Sequence, residues 1–586
     1  MNDDRRLWLV AAVSLLLIFG GSGLAWTVQT DAGSVEVRDV RFSGTNGTMM
    51  SGTLYIPEEA SSASPQPGVL AVHGYINSKE TQSPFAIEYA RRGFVVLAID
   101  QTGHGYSDPP AFQNGYGGPD SLEYLRSLDY VDNENIGLEG HSMGGWTVVT
   151  AAAAHPDGYE SMVIEGSSTG SNRAPEGTDS FPRNLAVVFS EYDEFSPLMW
   201  GTASASDVEQ SDKLQTVFGT DSAVEEGRTY GSVEDGTARR LYTPATTHPG
   251  DHFSTAAIGA SIEWLQLTLE GEDELDPGNQ VWYWKSLGTF IALLGGVLSL
   301  FPAGGLLIER ASTDRLRREY PDGKGMTGAK RYGASLLAAA IPIVTYFPLQ
   351  DAAPAIIGLS WLFPQQINNG VIVWALGNTV ITAVLFAVWH YTSNADDPSV
   401  SLANYGLDTG DGARTVGVSV LAGVATVAVL YLLEAVVAFL FQTDFRIWVF
   451  AIKLLSPAQF RISFSYLLPL FAFFVVLGAL LHGQLRPEGE SRSLRRAMAT
   501  NWLIVVGGFV VLLAVQYVPL LSGQPLPLGH PLLTILALQF VALLSIVAFV
   551  STYFFRKTGR VWVGATINAV LVTWVIVAGT ATQFPV

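Results

Sequence analysis

In the run "GHSMGG", Ser142 stands between Gly140 and Gly144, each two residues away. The pattern G-x-S-x-G gains chemical meaning only from its surroundings. A serine hydroxyl attacks a carbonyl when a base takes its proton, an acid orients that base and two N–H groups hold the developing oxyanion. Each part has a candidate. "NIGLEG" precedes Ser142 as a short strand and "MGGWTVVTAAAA" follows as a helix, so the serine falls at an abrupt strand-to-helix turn. Side chains at Gly140 and Gly144 would collide in such a turn. The Met143 N–H, just after the serine at the helix start, is one expected oxyanion donor, and the Tyr75 N–H in "VHGYINSKE" is the other. Of the histidines in this half (His73, His104, His141, His155, His248 and His252), only the last two follow the last expected strand. His252, beside the closing helix, is the expected base, with His248 as the alternative. The orienting acid should end the preceding strand, in "VVFSEYDEFSP", where Asp193 is expected ahead of Glu194 and Glu191.

The elements that must position these groups are legible as patterns. "VEVRDVRF" and "GTMMSGTLYIP" alternate like paired strands. "GVLAVHG", "FVVLAID", "SMVIEG" and "LAVVFSEYD" are short apolar runs, as in strands buried on both faces, and "ARRLYTP" is the last strand. "SPFAIEYARRGF", "DSLEYLRSLDYV" and "FSTAAIGASIEWLQLTLE" have helical spacing. Strands alternating with helices predict an α/β domain with a mostly parallel sheet covered on both faces. The Ser-, Asp-, Glu- and Gly-rich stretch of about 195–236 reads as a small cap inserted over the site.

Taken together, these segments resemble the α/β-hydrolase superfamily, closest to its dienelactone-hydrolase and serine-peptidase-like branches. "GHSMGG" resembles the nucleophile elbow, "VHGYINSKE" the oxyanion loop, "SEYDEFSP" the acid turn and "GDHF" the histidine loop. "AIDQTGHGYSD" resembles the D-x-x-G-H-G-x-S segment of that superfamily, with Asp100 and His104 read as loop architecture. The resemblance covers about residues 35–270. It implies a serine hydrolase that forms an acyl-enzyme, with no metal and no organic cofactor.

Composition adds a second half. Residues 31–280 carry 38 acidic and 12 basic side chains, whereas the rest of the chain has 15 acidic and 21 basic. An acidic exposed segment repels phosphates, which argues against a nucleic-acid partner. Only 7 of the 33 basic residues are lysines, and the excess of carboxylates resembles proteins of salt-adapted, archaeal-like organisms. With no cysteine in the chain, disulfides, a thiol nucleophile and thiolate metal sites are excluded.

Leu7–Trp26 is apolar behind Arg5 and Arg6 and reads as an anchor rather than a cleaved signal. Beyond Gln280, eight apolar runs are expected to span, near 284–308, 332–349, 368–391, 415–441, 462–485, 499–521, 531–555 and 561–582. The second, with Pro342 and Pro348, is the weakest. The expected domains are thus 1–30 (anchor), 31–280 (α/β domain) and 281–586 (all-α polytopic). Positive residues gather in alternate loops, seven in 309–331 and four in 486–498, which places the α/β domain outside the cell. Glu434 is the strongest intramembrane candidate for function, unless it pairs with Arg446 or Lys453. The run "FRIWVFAIKLLSPAQF" is expected to lie on the outer leaflet or to form a re-entrant turn.

The resulting expectation is a multi-pass membrane enzyme that cleaves esters, thioesters or other acyl bonds of a small or lipid-like substrate. Peptide or amide bonds are second. A different reading makes the helices a transporter or receptor, with the α/β domain as its outer regulatory module.

Overall fold

The computed structural model describes residues 3–270, 275–310, 316–489 and 493–586. Arg315 and Arg492, two of the loop cations counted above, lie outside them.

Eight strands form one sheet: β1 (Val35–Ser43), β2 (Met49–Pro57), β3 (Gln66–Val72), β4 (Val95–Asp100), β5 (Val131–His141), β6 (Ser161–Glu165), β7 (Leu185–Val188) and β8 (Arg239–Tyr242). Their order is β1-β2-β4-β3-β5-β6-β7-β8, antiparallel where β2 meets β1 and β4 and parallel from β4 onward. The runs Val69–Val72 of β3 and Val95–Ile99 of β4 are apolar because both faces of the sheet are covered, and their side chains alternate between two cores. Leu70 and Val72 of β3 join one core, and Val69 and Ala71 join the other. The first core is closed by α3 (Gly118–Arg126) and α4 (Met143–Ala154), the second by α2 (Ser83–Ala90) and α7 (Thr255–Thr268). The inserted segment holds two short helices, α5 (Ser196–Met199) and α6 (Asp212–Phe218), and its Leu214 and Val217 are buried against the first core.

The remaining helices form an apolar bundle: α1 (Asp3–Gln29), α8 (Trp282–Arg310), α9 (Gly328–Val344), α10 (Tyr346–Ile356), α11 (Gln366–Ser393), α12 (Ala413–Phe441), α13 (Pro457–Ala479), α14 (Leu494–Leu520), α15 (Pro531–Thr558) and α16 (Trp562–Ala578). Seven helices among the described residues are long and apolar enough to cross a membrane: α1, α8, α11, α12, α13 with the turn after it, α14 and α15. The span expected near 332–349 is instead the pair α9–α10, bent by 50° at Thr345. Pro342 and Pro348 flank the break and remove ladder hydrogen bonds there. The last expected span is a helix of only 17 residues, α16.

The segment expected on the outer leaflet or in a re-entrant turn reverses its direction. It forms a hairpin, β9 (Phe445–Ile447) and β10 (Phe450–Ile452), turned at Trp448 with φ +53°. Its cations draw it onto the α/β half. Lys453 Nζ lies 2.8 Å from Glu80 Oε2, and Arg446 Nη1 donates to Thr81 Oγ1 at 3.0 Å. Burial pushes the Glu80 carboxyl up, but Lys453, Lys79 and Arg446 outweigh it and hold it well below the usual carboxylate range. Glu434 is fully buried, and neither of its oxygens accepts a hydrogen bond. The partners expected for it are engaged elsewhere, Arg446 with Asp444 and Lys453 with Glu80.

Candidate active site

The site forms at the carboxyl ends of the parallel strands, where open α/β sheets place ligands. Ser142 follows β5 directly and precedes α4, with φ +55° and ψ −119°. A serine adopts such a backbone only when its surroundings impose it, at a cost of about 1–3 kcal/mol. Here the Ser142 N–H donates to Glu165 O at 2.8 Å and its carbonyl accepts from Ser167 Oγ at 2.6 Å. A Cβ at Gly140 would strike the backbone of Gly144, and one at Gly144 would strike the backbone of Val72. The Gly144→Ala variant is therefore expected to lose about 1–3 kcal/mol of stability, since neither backbone can yield. The measurement is thermal unfolding of the full chain in detergent.

Tyr75 sits in the loop after β3 and Met143 opens α4, and both line one cavity with Ser142. The first-turn N–H groups of a helix have no acceptor within it, so that of Met143 is left unpaired by the ladder. The Tyr75 loop is tied down by its neighbours. The Tyr75 carbonyl is 2.7 Å from His104 Nε2, and its hydroxyl accepts from Gln583 Nε2 at 2.6 Å. His104 and Asp100 thus serve loop architecture. Asp100 Oδ1 and Oδ2 accept from the N–H groups of Lys79 and Tyr106.

The two late histidines take different partners in the structure. Asp193 Oδ2 lies 2.9 Å from Nδ1 of His248, not of His252. Backbone register decides this. Tyr192 and Thr247 form a parallel bridge, and the residues that follow each, Asp193 and His248, are brought side by side. After His248 the chain enters a 3₁₀ turn over His248–Phe253, which carries His252 to the other side of the loop. There its Nε2 is 3.1 Å from Gln82 Oε1, and Gln82 Nε2 donates to Glu139 Oε1 at 2.6 Å. His252 still borders the cavity but stacks edge-on against His141 and Phe85. Glu194, the alternative acid, holds the His248 loop instead. Its Oε2 accepts from the His248 N–H at 2.8 Å and its Oε1 accepts from the Tyr517 hydroxyl of α14, also at 2.8 Å. Burial and the nearby Asp193 push Glu194 up to about 8. Glu191, the remaining alternative, is exposed.

Three further contacts fix the base loop. His141 Nε2 is 2.9 Å from the His248 carbonyl, the Trp448 indole donates to the Pro249 carbonyl, and Phe195 lies with its ring 4.5 Å from that of His248. Burial lowers His248 to about 4, opposed by Asp251. His248 is therefore neutral at neutral pH. With Nδ1 donating to Asp193, Nε2 is left as the acceptor that a general base needs. Burial and the nearby Asp251 push the Asp193 carboxyl well above its ordinary value, and the Phe195 N–H, which donates to Asp193 Oδ1 at 2.7 Å, opposes them.

Comparison with known proteins agrees with this fold. Residues 67–196 match the family model of the alpha/beta hydrolase fold. The soluble half is an α/β-hydrolase-fold domain joined to an apolar helical half. The chain is similar to the 2-(acetamidomethylene)succinate hydrolase of Mesorhizobium japonicum, 35% identical over 112 residues, 19% of this chain and 38% of that protein. It is also similar to a protein of Mycobacterium phage D29 provisionally named a non-heme haloperoxidase, 32% identical over 100 residues, 17% of this chain and 35% of that one. The chain thus spans little more than a third of the length of the curated relatives it matches. Among solved structures, an esterase of Pyrococcus furiosus aligns at 14% identity over 41% of this chain and 96% of its own, with a TM-score of 0.31.

Proposed function

We propose that the protein is a membrane-bound serine hydrolase acting on carboxylic esters, thioesters or related acyl derivatives. The observation that carries the reading is the Asp193–His248 pair, at 2.9 Å, whose imidazole borders the cavity that Ser142 lines. His248 Nε2 takes the proton of Ser142 as its oxygen attacks the carbonyl, and Asp193 holds the imidazole in the productive tautomer. The N–H groups of Met143 and Tyr75 hold the oxyanion. The leaving group departs with the proton from His248, and water then releases the acyl group by the same steps in reverse. In this reading the base is His248 and His252 supports the loop. The acidic domain works outside the cell, a placement supported by the basic residues gathered in alternate loops.

The test is labelling of the purified full chain with a fluorophosphonate probe, followed by assays on matched esters and aminoacyl amides. Esters turned over faster than amides support ester chemistry, and the reverse makes the protein an amidase or peptidase on the same site. The pH profile carries a further expectation. A base works only when unprotonated, so activity is lost as pH falls through the pKa of His248. With that value lowered to about 4, kcat/KM should stay level well below the pH 6.5 or so of a free imidazole and fall only near pH 4. An acid limb centred near neutrality would remove His248, as buried here, from the role.

A further inference from the structure

The cavity beside Ser142 does not belong to the soluble half alone. It has a volume of about 670 Å³, and its walls come from both halves. Ile76, Met143 and Phe195 face it from the α/β domain. Ile367 of α11 and Leu532 and Ile535 at the head of α15 face it from the helical half. Ile76, Ile535 and Leu536 are buried together, so the two sets of side chains form one apolar seam. The membrane helices therefore roof the site together with Phe195, Leu198 and Met199 of the inserted segment.

The roof also leads outward. Pro354 of α10 lines the cavity, and the chain beyond it is apolar and open. Ile356, Leu359, Trp361 and Leu362 are 61%, 43%, 71% and 41% exposed. An exposed aliphatic and tryptophan segment beside the head of a membrane bundle suits the lipid–water boundary. Polar residues of the helical half around the cavity are mainly amides, Gln350, Gln366 and Gln583, with Asp351 and His530 as a pair 3.7 Å apart. Such a lining offers a polar head hydrogen-bonding partners, with Asp351 as the one carboxylate among these residues.

We infer that the helical half is part of the substrate site and that the substrate is a membrane-resident amphiphile: an ester or related acyl derivative bearing a long aliphatic chain. Its reacting carbonyl lies at Ser142, and its chain lies along Ile367, Leu532 and Ile535. The inference rests on the serine-hydrolase reading above and names the substrate class for it. The step balances as hydrolysis. A bond forms between Ser142 Oγ and the acyl carbon, the acyl–oxygen bond breaks, and the alcohol leaves with the proton that His248 carried. One water then restores Ser142 and releases the acid. This gives the many helices a task that anchoring, which one helix fulfils, does not.

The test uses the full chain in nanodiscs. Fluorophosphonate labelling is read first, because an unlabelled protein would defeat the serine-hydrolase reading rather than this one. On labelled protein, nitrophenyl esters from acetyl to dodecanoyl are compared, and kcat/KM should rise about tenfold or more with chain length. A flat or falling profile in protein that labels overturns the inference, with no variant required. Ile535→Trp fills the roof and should lower the dodecanoyl-to-acetyl ratio of kcat/KM by about tenfold. An unchanged ratio in folded variant removes α15 from the chain-binding wall. Finally, a dodecanoyl ester embedded in the bilayer is set against the same chain on a water-soluble thioester. Faster turnover of the embedded ester supports a bilayer source, and preference for the soluble thioester overturns it.

Discussion

Replacing Ser142 by alanine is expected to abolish fluorophosphonate labelling and to lower kcat on esters by about 10⁶, the scale seen when the nucleophile of a coupled triad is removed. Oxyanion donors and binding contacts sustain the residual rate. The variant should fold, because alanine keeps the Cβ of a residue whose backbone is held by Glu165 O and Ser167 Oγ rather than by its own hydroxyl. Melting at the wild-type temperature separates lost chemistry from lost structure. Labelling that survives in Ser142→Ala would move the nucleophile elsewhere, since the cavity would then hold another reactive hydroxyl.

The second large effect separates two histidines four positions apart. His248→Ala should lower kcat by about 10⁴–10⁶, because it removes the imidazole paired with Asp193. His252→Asn should cost far less, about tenfold in kcat, and act through the loop. His252 Nε2 contacts Gln82, whose amide in turn reaches the buried Glu139. The readout is kcat on one ester for both variants at neutral pH. Equal losses, or a larger loss at His252, would return the base to the position nearest the closing helix. The contrast is sharp because the two rings share one short loop and both border the cavity, so general disturbance of the loop would affect both alike.

Much of the fold was legible because burial on two faces leaves a plain signature. The runs around Val69–Val72 and Val95–Ile99 admit no polar side chain, and β3 and β4 follow them. The elbow was legible for a steric reason, since only glycine fits at 140 and 144 once a strand must turn at once into a helix. The choice between His248 and His252 was not. Both follow β8 and precede α7, and what separates them is the bridge between Tyr192 and Thr247, a contact between loops far apart in the chain. Arg446, held by Asp444 beside it, and Lys453 both reach Glu80 on the other half, a partner that the residue pattern of 445–460 does not name. Local pattern says what a segment buries and leaves open which partner it meets. The cavity roof is the same kind of case. Ile535 reads as one more aliphatic residue of a membrane helix until Ile76 is seen against it.

The loops assigned to the proposed chemistry are held from outside their own domain. Gln583 ties the Tyr75 side chain, Tyr517 ties Glu194 behind His248, and Trp448 ties Pro249. Severing the polypeptide after the sheet domain would hence leave a fragment with its strands intact and its working parts slack. On the proposed reading the two halves share one site, with walls and supporting contacts drawn from both. On that reading, cleavage between the halves would end the proposed activity without touching a reacting atom.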